Sequence, residues 1–258
     1  MTKTDCPAIE FEKAEKKYSV SNILGKKEIT AFRDLSFSLE AGSATVLLGL
    51  NGAGKTTILK LIAGLLFPTS GRISVFGHSP YNAETKADIG FLPELPYFPP
   101  YEKPLDVLRF YGSLSGIPDK SLDDAAAKAL EITGLLPHKD KKIHEFSKGM
   151  MQRLGLAQAM QHNPKILLLD EPVSGLDPIA IRDIRHILLE MSKKGTTILM
   201  SSHSISEAEK ICGQAIIMKD GMLSGMLQKN EWEQEGGLEE VFINVLDEKH
   251  KIQHKDED

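Results

Sequence analysis

ATVLLGLNGAGKTTILKLIAGLL, Ala44 to Leu66, decides the fold class of this chain. Ala44-Thr45-Val46-Leu47-Leu48 is short and nearly continuously apolar, as a strand buried on both faces must be. GLNGAGKT, Gly49 to Thr56, follows at once and satisfies the phosphate-loop pattern G-x-x-x-x-G-K-[ST]. Gly49, Gly52 and Gly54 permit backbone angles and a close approach that side chains would block. The loop's N–H groups and the N-terminus of the next helix then converge on phosphate oxygens. Lys55 supplies a cation for terminal phosphates, and the Thr56 hydroxyl a ligand for Mg2+. Thr56 to Leu66 reads as the helix that completes a β-loop-α unit of an α/β fold.

Such a site needs an acidic residue at the end of a second buried strand. KILLLDEP, Lys165 to Pro172, offers Asp170 and Glu171. A carboxylate at Asp170 suits Mg2+, and Glu171 suits a group that orients or deprotonates an attacking water. His203 follows the apolar run TTILMSS, at a strand's carboxyl end where ligands of open α/β sheets bind.

Outward from this core, Ala8 to Glu12 and Leu35 to Leu39 alternate in strand fashion, with Glu40-Ala41-Gly42 as a turn. SVSNILGKKEIT, Ser19 to Thr30, reads as a polar hairpin loop, and RISVFG as another strand. Prolines cluster from Pro93 to Pro104, and helical patterns follow, predicting a helical insertion over about 97–164. Further helices are expected from Ile179 to Lys194 and from Ser204, with a last short strand at AIIMKDG. Residues 1–246 read as one domain and 247–258 as a polar, disordered tail. EFSKGMMQRLGLAQAM, Glu145 to Met160, is an amphipathic helix with Ser147 as N-cap, and Ser-Lys-Gly sits where helical N–H groups lie open.

The bulk numbers narrow the function. At 258 residues, 41% apolar and 26% charged, the composition is that of an ordinary globular protein. A net charge of -5 argues against electrostatic binding to nucleic acid. The two cysteines, Cys6 and Cys212, have no metal-ligand spacing and read as reduced thiols. No secretory signal is visible, and apolar runs such as LIAGLLF fall far short of the roughly 20 residues that span a bilayer. A membrane role must come from a partner.

Taken together, these motifs resemble the ATP-binding subunits of ABC (ATP-binding cassette) transporters, in collinear order along nearly the whole chain. The resemblance implies a P-loop NTPase core with a mostly parallel sheet, an N-terminal antiparallel β subdomain and an inserted α-helical subdomain. It places ATP on Tyr18, as an adenine platform, and on Gly49, Leu50, Asn51, Gly52, Ala53, Gly54, Lys55, Thr56 and Thr57. Thr56, Glu94 and Asp170 fall at Mg2+ positions, and Glu171 and His203 at the catalytic base and switch histidine. Ser147, Lys148, Gly149 and Met150 match the signature motif, usually Leu-Ser-Gly-Gly-Gln, and Asp177 closes the loop that crosses a dimer interface. These five would contact ATP in trans, leaving the signature idle in a single chain.

The implied assembly is a head-to-tail homodimer or heterodimer on an integral-membrane permease at the cytoplasmic face of the cell membrane. The chain departs from the family at Lys148 and Met150, and at Glu94, where a glutamine is usual. These variants look like cassettes of export-type (ABC-2) transporters for drugs, lipids or other hydrophobic compounds. The alternative is a soluble ABC-type ATPase acting on the ribosome or on DNA. Against it stand the acidic charge and the lack of a second cassette. A GTPase would need an Asn-Lys-x-Asp motif, which is absent.

Overall fold

Alternation of apolar and polar residues makes the first two strands a ribbon with one buried face. The computed structural model describes residues 6–22 and 25–253. β1 (Ile9–Asn22) pairs antiparallel with β2 (Gly25–Leu39), Ile9 opposite Leu39 and Phe11 opposite Phe37. The Phe11 and Phe37 rings stack with centroids 4.6 Å apart. Register shifts between Phe11 and Lys17 twist the ribbon. Here the expected polar loop over Ser19 to Thr30 is corrected: the strands continue to Asn22 and resume at Gly25. Ladder hydrogen bonds need no apolar residue, so polarity alone concealed this part of the hairpin. β4 (Ser70–Val75) joins the other edge of β1, giving a three-stranded antiparallel sheet in the order β2-β1-β4.

β3 (Ala44–Gly49) lies inside a second sheet of six strands, ordered β5-β6-β7-β3-β8-β9. Its members are β5 (Ile89–Leu92), β6 (Ile166–Leu169), β7 (Thr197–Ser201), β8 (Gln214–Lys219) and β9 (Met222–Gln228). All pairings are parallel except that of β9. Alternate residues serve two cores. Val46, Leu48, Leu167 and Leu169 pack with one cluster, whereas Leu47, Ile166 and Leu168 pack with Phe11, Phe32 and Ile58 of the other. Each such fully buried side chain contributes roughly 1.5–3 kcal/mol.

α1 (Lys55–Ile62) buries Ile58, Leu59, Leu61 and Ile62 beneath the antiparallel sheet. It ends before the predicted Leu66, because Gly64 takes φ 65° and closes the helix: Gly64 N donates to Leu61 O and Leu65 N to Lys60 O. α2 (Ala83–Ala87) is a single short turn. The helical insertion comprises α3 (Pro104–Leu114), α4 (Leu122–Ile132) and α5 (Lys148–Met160), around Leu108, Leu130 and Ile143. α5 is shared between layers, since Leu154 and Ala157 face that cluster while Leu156 and Ala159 face the sheet.

α6 (Pro178–Lys193) and α7 (Ile205–Ile211) pack on the same face of the sheet as Leu156 and Ala159, opposite α1. α8 (Lys229–Gln234) and α9 (Leu238–Gln253) complete the chain. α9 runs through Gln253, into the stretch read as a disordered tail, and residues 254–258 lie outside the described residues. Among the described residues no helix is long and apolar enough to cross a membrane.

Candidate functional site

β3, β6 and β7 deliver their carboxyl ends side by side, and the chemistry gathers there. The parallel register that sets Leu169 opposite Met200 brings Asp170 and Glu171 next to Ser201. Ser201 Oγ donates to Asp170 Oδ1 at 2.7 Å and accepts from Glu171 N at 2.9 Å. Ser201 is fully buried and was missed in the sequence, where a serine at a strand end looks like a surface residue. Its signal lay in the register of two strands, which no local pattern reveals.

The loop after β3 closes on itself. Lys55 Nζ donates to Gly49 O at 2.7 Å and to Leu50 O at 3.3 Å. Burial pulls the Lys55 pKa down, and the charges of Glu171 and Asp170 oppose that shift. Gly54 caps α1 at φ 95°, and a Cβ there would stand 2.8 Å from Ala31 O. Gly52, at φ 83°, has nothing within 4 Å of where its Cβ would be, so this side of the loop is open. The α1 N-terminus has no side-chain cap and no acid in its first turn. Its N–H groups therefore keep their full attraction for an anion.

Glu171 is held in a left-handed backbone conformation, φ 49°, that few non-glycine residues adopt. Its Oε2 accepts from His203 N at 3.0 Å, and His203 Nε2 stands 3.2 Å from Oε1. Oε1 is buried without a hydrogen-bond partner among the described residues. Burial pushes the Glu171 pKa up, opposed by the His203 N–H, by the charges of His203 and Lys55, and reinforced by Asp170.

These groups line one cleft of about 520 Å³ with Tyr18, Asn51, Thr57 and Glu94. The Tyr18 hydroxyl lies 3.3 Å from Thr57 Oγ1, and Lys16 Nζ stands 5.1 Å from its ring centroid. Ile29, Thr30 and Ala31 of β2 form a wall that the sequence reading did not single out.

The cleft suits a nucleotide with its cation. An open glycine face, an uncapped helix start and the buried Lys55 side chain converge where phosphates would lie. Thr56 Oγ1 donates to Asp170 Oδ1 at 3.2 Å, the same oxygen that Ser201 uses. Oδ2 is left for a cation. Among the described residues no cluster of three His, Cys, Asp or Glu side chains forms a metal cage. Thr56 and Asp170 are oxygen donors of the kind that hold Mg2+ together with phosphates.

The remaining expected residues lie elsewhere. Gly49, Leu50, Ser147, Lys148, Gly149, Met150 and Asp177 do not line the cleft. Ser147 Oγ accepts from Met150 N at 3.2 Å, so within the single chain this serine already works as a cap. Asp177 caps α6, accepting from Ile179 N and Ala180 N at 3.0 and 2.9 Å. Those backbone donors, Ala180 first, hold its pKa below the usual carboxylate value.

A family model described as ABC transporter matches residues 32–174, from β2 past Glu171. The chain belongs to the ABC transporter family of ATP-binding cassettes. The uncharacterized ABC transporter ATP-binding protein YxlF of Bacillus subtilis is 42% identical over 80% of this chain and 69% of its own length. Another such protein, from Synechocystis, is 35% identical over 76% of this chain but 56% of its own length. The bacitracin transport ATP-binding protein BcrA of Enterococcus faecalis is 38% identical over 83% of this chain and 67% of its own. The chain thus spans little more than half to about two thirds of these relatives' lengths.

Solved ABC cassettes share the fold. The ATP-binding subunit of an ABC transporter superposes with TM-score 0.81 at 25% identity, covering 93% of this chain and 99% of that one. A dimeric post-hydrolysis cassette bound to ADP and Pi gives 0.78 at 22% identity, over 86% of this chain and 98% of that one. The α/β core, antiparallel sheet and inserted helices of the present chain are those of an ABC ATPase.

Proposed function

We propose that this cassette binds ATP with Mg2+ in the cleft, pairs head-to-tail with a second cassette, and hydrolyses ATP to drive a separate membrane subunit. The reading rests above all on Lys55, Thr56, Asp170 and Glu171 meeting in one cleft. Lys55 and the N–H groups of Gly52 to Thr57 bind phosphate, while Tyr18 offers its ring to adenine. Thr56 and Asp170 hold Mg2+, with Glu94 at the rim. Bound there, the ion would neutralise phosphate charge. Glu171 takes the proton of the attacking water on its carboxylate, which His203 steers through the two contacts measured above. Burial keeps the carboxylate basic enough to accept the proton.

Ser147, Lys148, Gly149 and Met150 of one chain, with Asp177, face the ATP of the other through the exposed start of α5. ATP drives closure only as far as it binds the closed pair more tightly than the open one. A groove of about 670 Å³ between β5 and the helical insertion, walled by Pro96, Tyr97, Tyr111 and Leu114, receives a segment of the membrane subunit. Tyr97 and Leu114 are exposed there although apolar in character. The likeness to BcrA, named for bacitracin transport, supports export of a drug, lipid or other hydrophobic compound, with the cassette peripheral on the cytoplasmic face.

The test is Glu171→Gln, followed by phosphate release and light scattering. ATP binding should persist, turnover should fall by about 10²-fold or more, and an ATP-dependent dimer should accumulate. Hydrolysis at the wild-type rate would remove Glu171 as the base.

A further inference from the structure

Lys16 precedes Tyr18 by two positions on β1, so both side chains leave the strand on one face. Lys16 Nζ stands 5.1 Å from the Tyr18 ring centroid, within the range at which a ring face attracts a cation. Tyr18 lines the nucleotide cleft and Lys16 does not. The ammonium therefore approaches the ring from outside the cleft.

The ammonium is fixed as well as near. Lys16 Nζ donates to Phe67 O at 2.8 Å, in the segment after α1. Two hydrogen bonds tie that segment to β1 on either side of Lys16. Thr69 N donates to Glu15 O at 2.7 Å, and Lys17 N donates to Thr69 Oγ1 at 2.9 Å. The Phe67 ring stacks on Tyr81 with centroids 4.2 Å apart, and the Tyr81 hydroxyl donates to Leu66 O at 2.8 Å. The neighbouring carboxylate of Glu15 is engaged by Lys17 at 2.9 Å. Lys16 and Tyr18 are both half-buried, where a cation–ring contact keeps more of its strength than in open water.

The ring needs such a contact. Tyr18 sits opposite Ile29 in the β1–β2 ladder, and its hydroxyl lies 3.3 Å from Thr57 Oγ1. That oxygen is on the axis about which the ring turns, so the hydroxyl contact alone leaves the ring plane unset. A cation against one face sets it.

We infer that Lys16 is a positioning residue for adenine: its ammonium, held by Phe67 O, fixes the plane of the Tyr18 ring so that the opposite face stacks on the base. The inference rests on the proposed placement of adenine on Tyr18. Lys16 touches no part of the nucleotide in this role, and its charge acts through the ring.

The experiment is calorimetric titration of the full chain with MgADP and with magnesium pyrophosphate, which carries phosphates without the base. Lys16→Ala should weaken ADP binding roughly 3- to 10-fold and leave pyrophosphate binding unchanged. Lys16→Arg, whose guanidinium also reaches a ring face and a carbonyl, should restore ADP affinity. Lys16→Met keeps an unbranched stem without the charge and should not restore it. In ATP hydrolysis, KM should rise by the same factor while kcat holds. In a Tyr18→Ala background, Lys16→Ala should have no further effect.

Equal weakening of ADP and pyrophosphate overturns the inference, because Lys16 would then attract phosphate directly. So does unchanged ADP affinity in Lys16→Ala, full affinity in Lys16→Met, or an additive loss in the Tyr18→Ala background. A Tyr18→Ala chain that binds ADP as tightly as wild type overturns the placement of adenine as well, and it is measured with Lys16 intact.

Discussion

Ser201 joins the two halves of the acidic pair, and its loss is the clearest test at the scale of a residue. Ser201→Ala leaves Glu171 N without an acceptor in a buried place and removes one of the two donors to Asp170 Oδ1, which keeps Thr56 Oγ1. The expected cost is about 1–3 kcal/mol of stability, with kcat lowered more than ATP affinity. Chemical denaturation and a nucleotide titration check the two parts. Glu171 carries a pH prediction. Its pKa is raised by burial above the ordinary carboxylate value of 4.5, so the rate should fall as pH drops through that raised value. The acidic limb should therefore lie above the ordinary carboxylate range, and the residual rate of Glu171→Gln should lack it. Stability has the opposite sense. A carboxyl raised on folding adds stability below its unfolded pKa, and this is lost as pH rises through the folded one. Glu171→Gln should therefore melt higher than wild type at neutral pH, with the difference shrinking toward acid.

Elements differ in how plainly the sequence shows them, and the reason is where each gets its stability. β3 and β6 were legible because strands buried on both faces are apolar runs. β5 was not. Its four residues include Gly90, where a Cβ would stand 2.1 Å from Ala159 O, so the position answers to α5 and not to strand propensity. The β1–β2 hairpin was read too short because its far end is polar and held by ladder bonds. α8 was invisible as five polar residues around one tryptophan, yet it is anchored by that residue, Trp232, the only tryptophan and fully buried in the main core. Trp232→Ala should cost about 3–5 kcal/mol, lowering Tm by roughly ten degrees. The fluorescence of that single tryptophan in the wild-type chain reports the same unfolding, and a near-normal melt of the variant would show that α8 is not anchored by it.

At the scale of the molecule, the signature turn does not line the cleft, and in the proposed dimer a second chain would bring the two together. Ser147→Arg places a bulky cation at the exposed start of α5. In the Glu171→Gln background it should abolish ATP-driven dimerisation while leaving ATP binding to the single chain intact. Sedimentation with and without ATP decides this, and an unchanged dimer would sink the head-to-tail arrangement. The sequence by itself determined the phosphate loop, the Asp170-Glu171 pair and the order of the family's motifs, because these demand particular residue types at short spacings. Tertiary structure alone decided that Ser201 bridges the pair and that Gly90 lies against Ala159 O. Each of these joins residues far apart in the chain, through strand register and helix packing that no local pattern encodes.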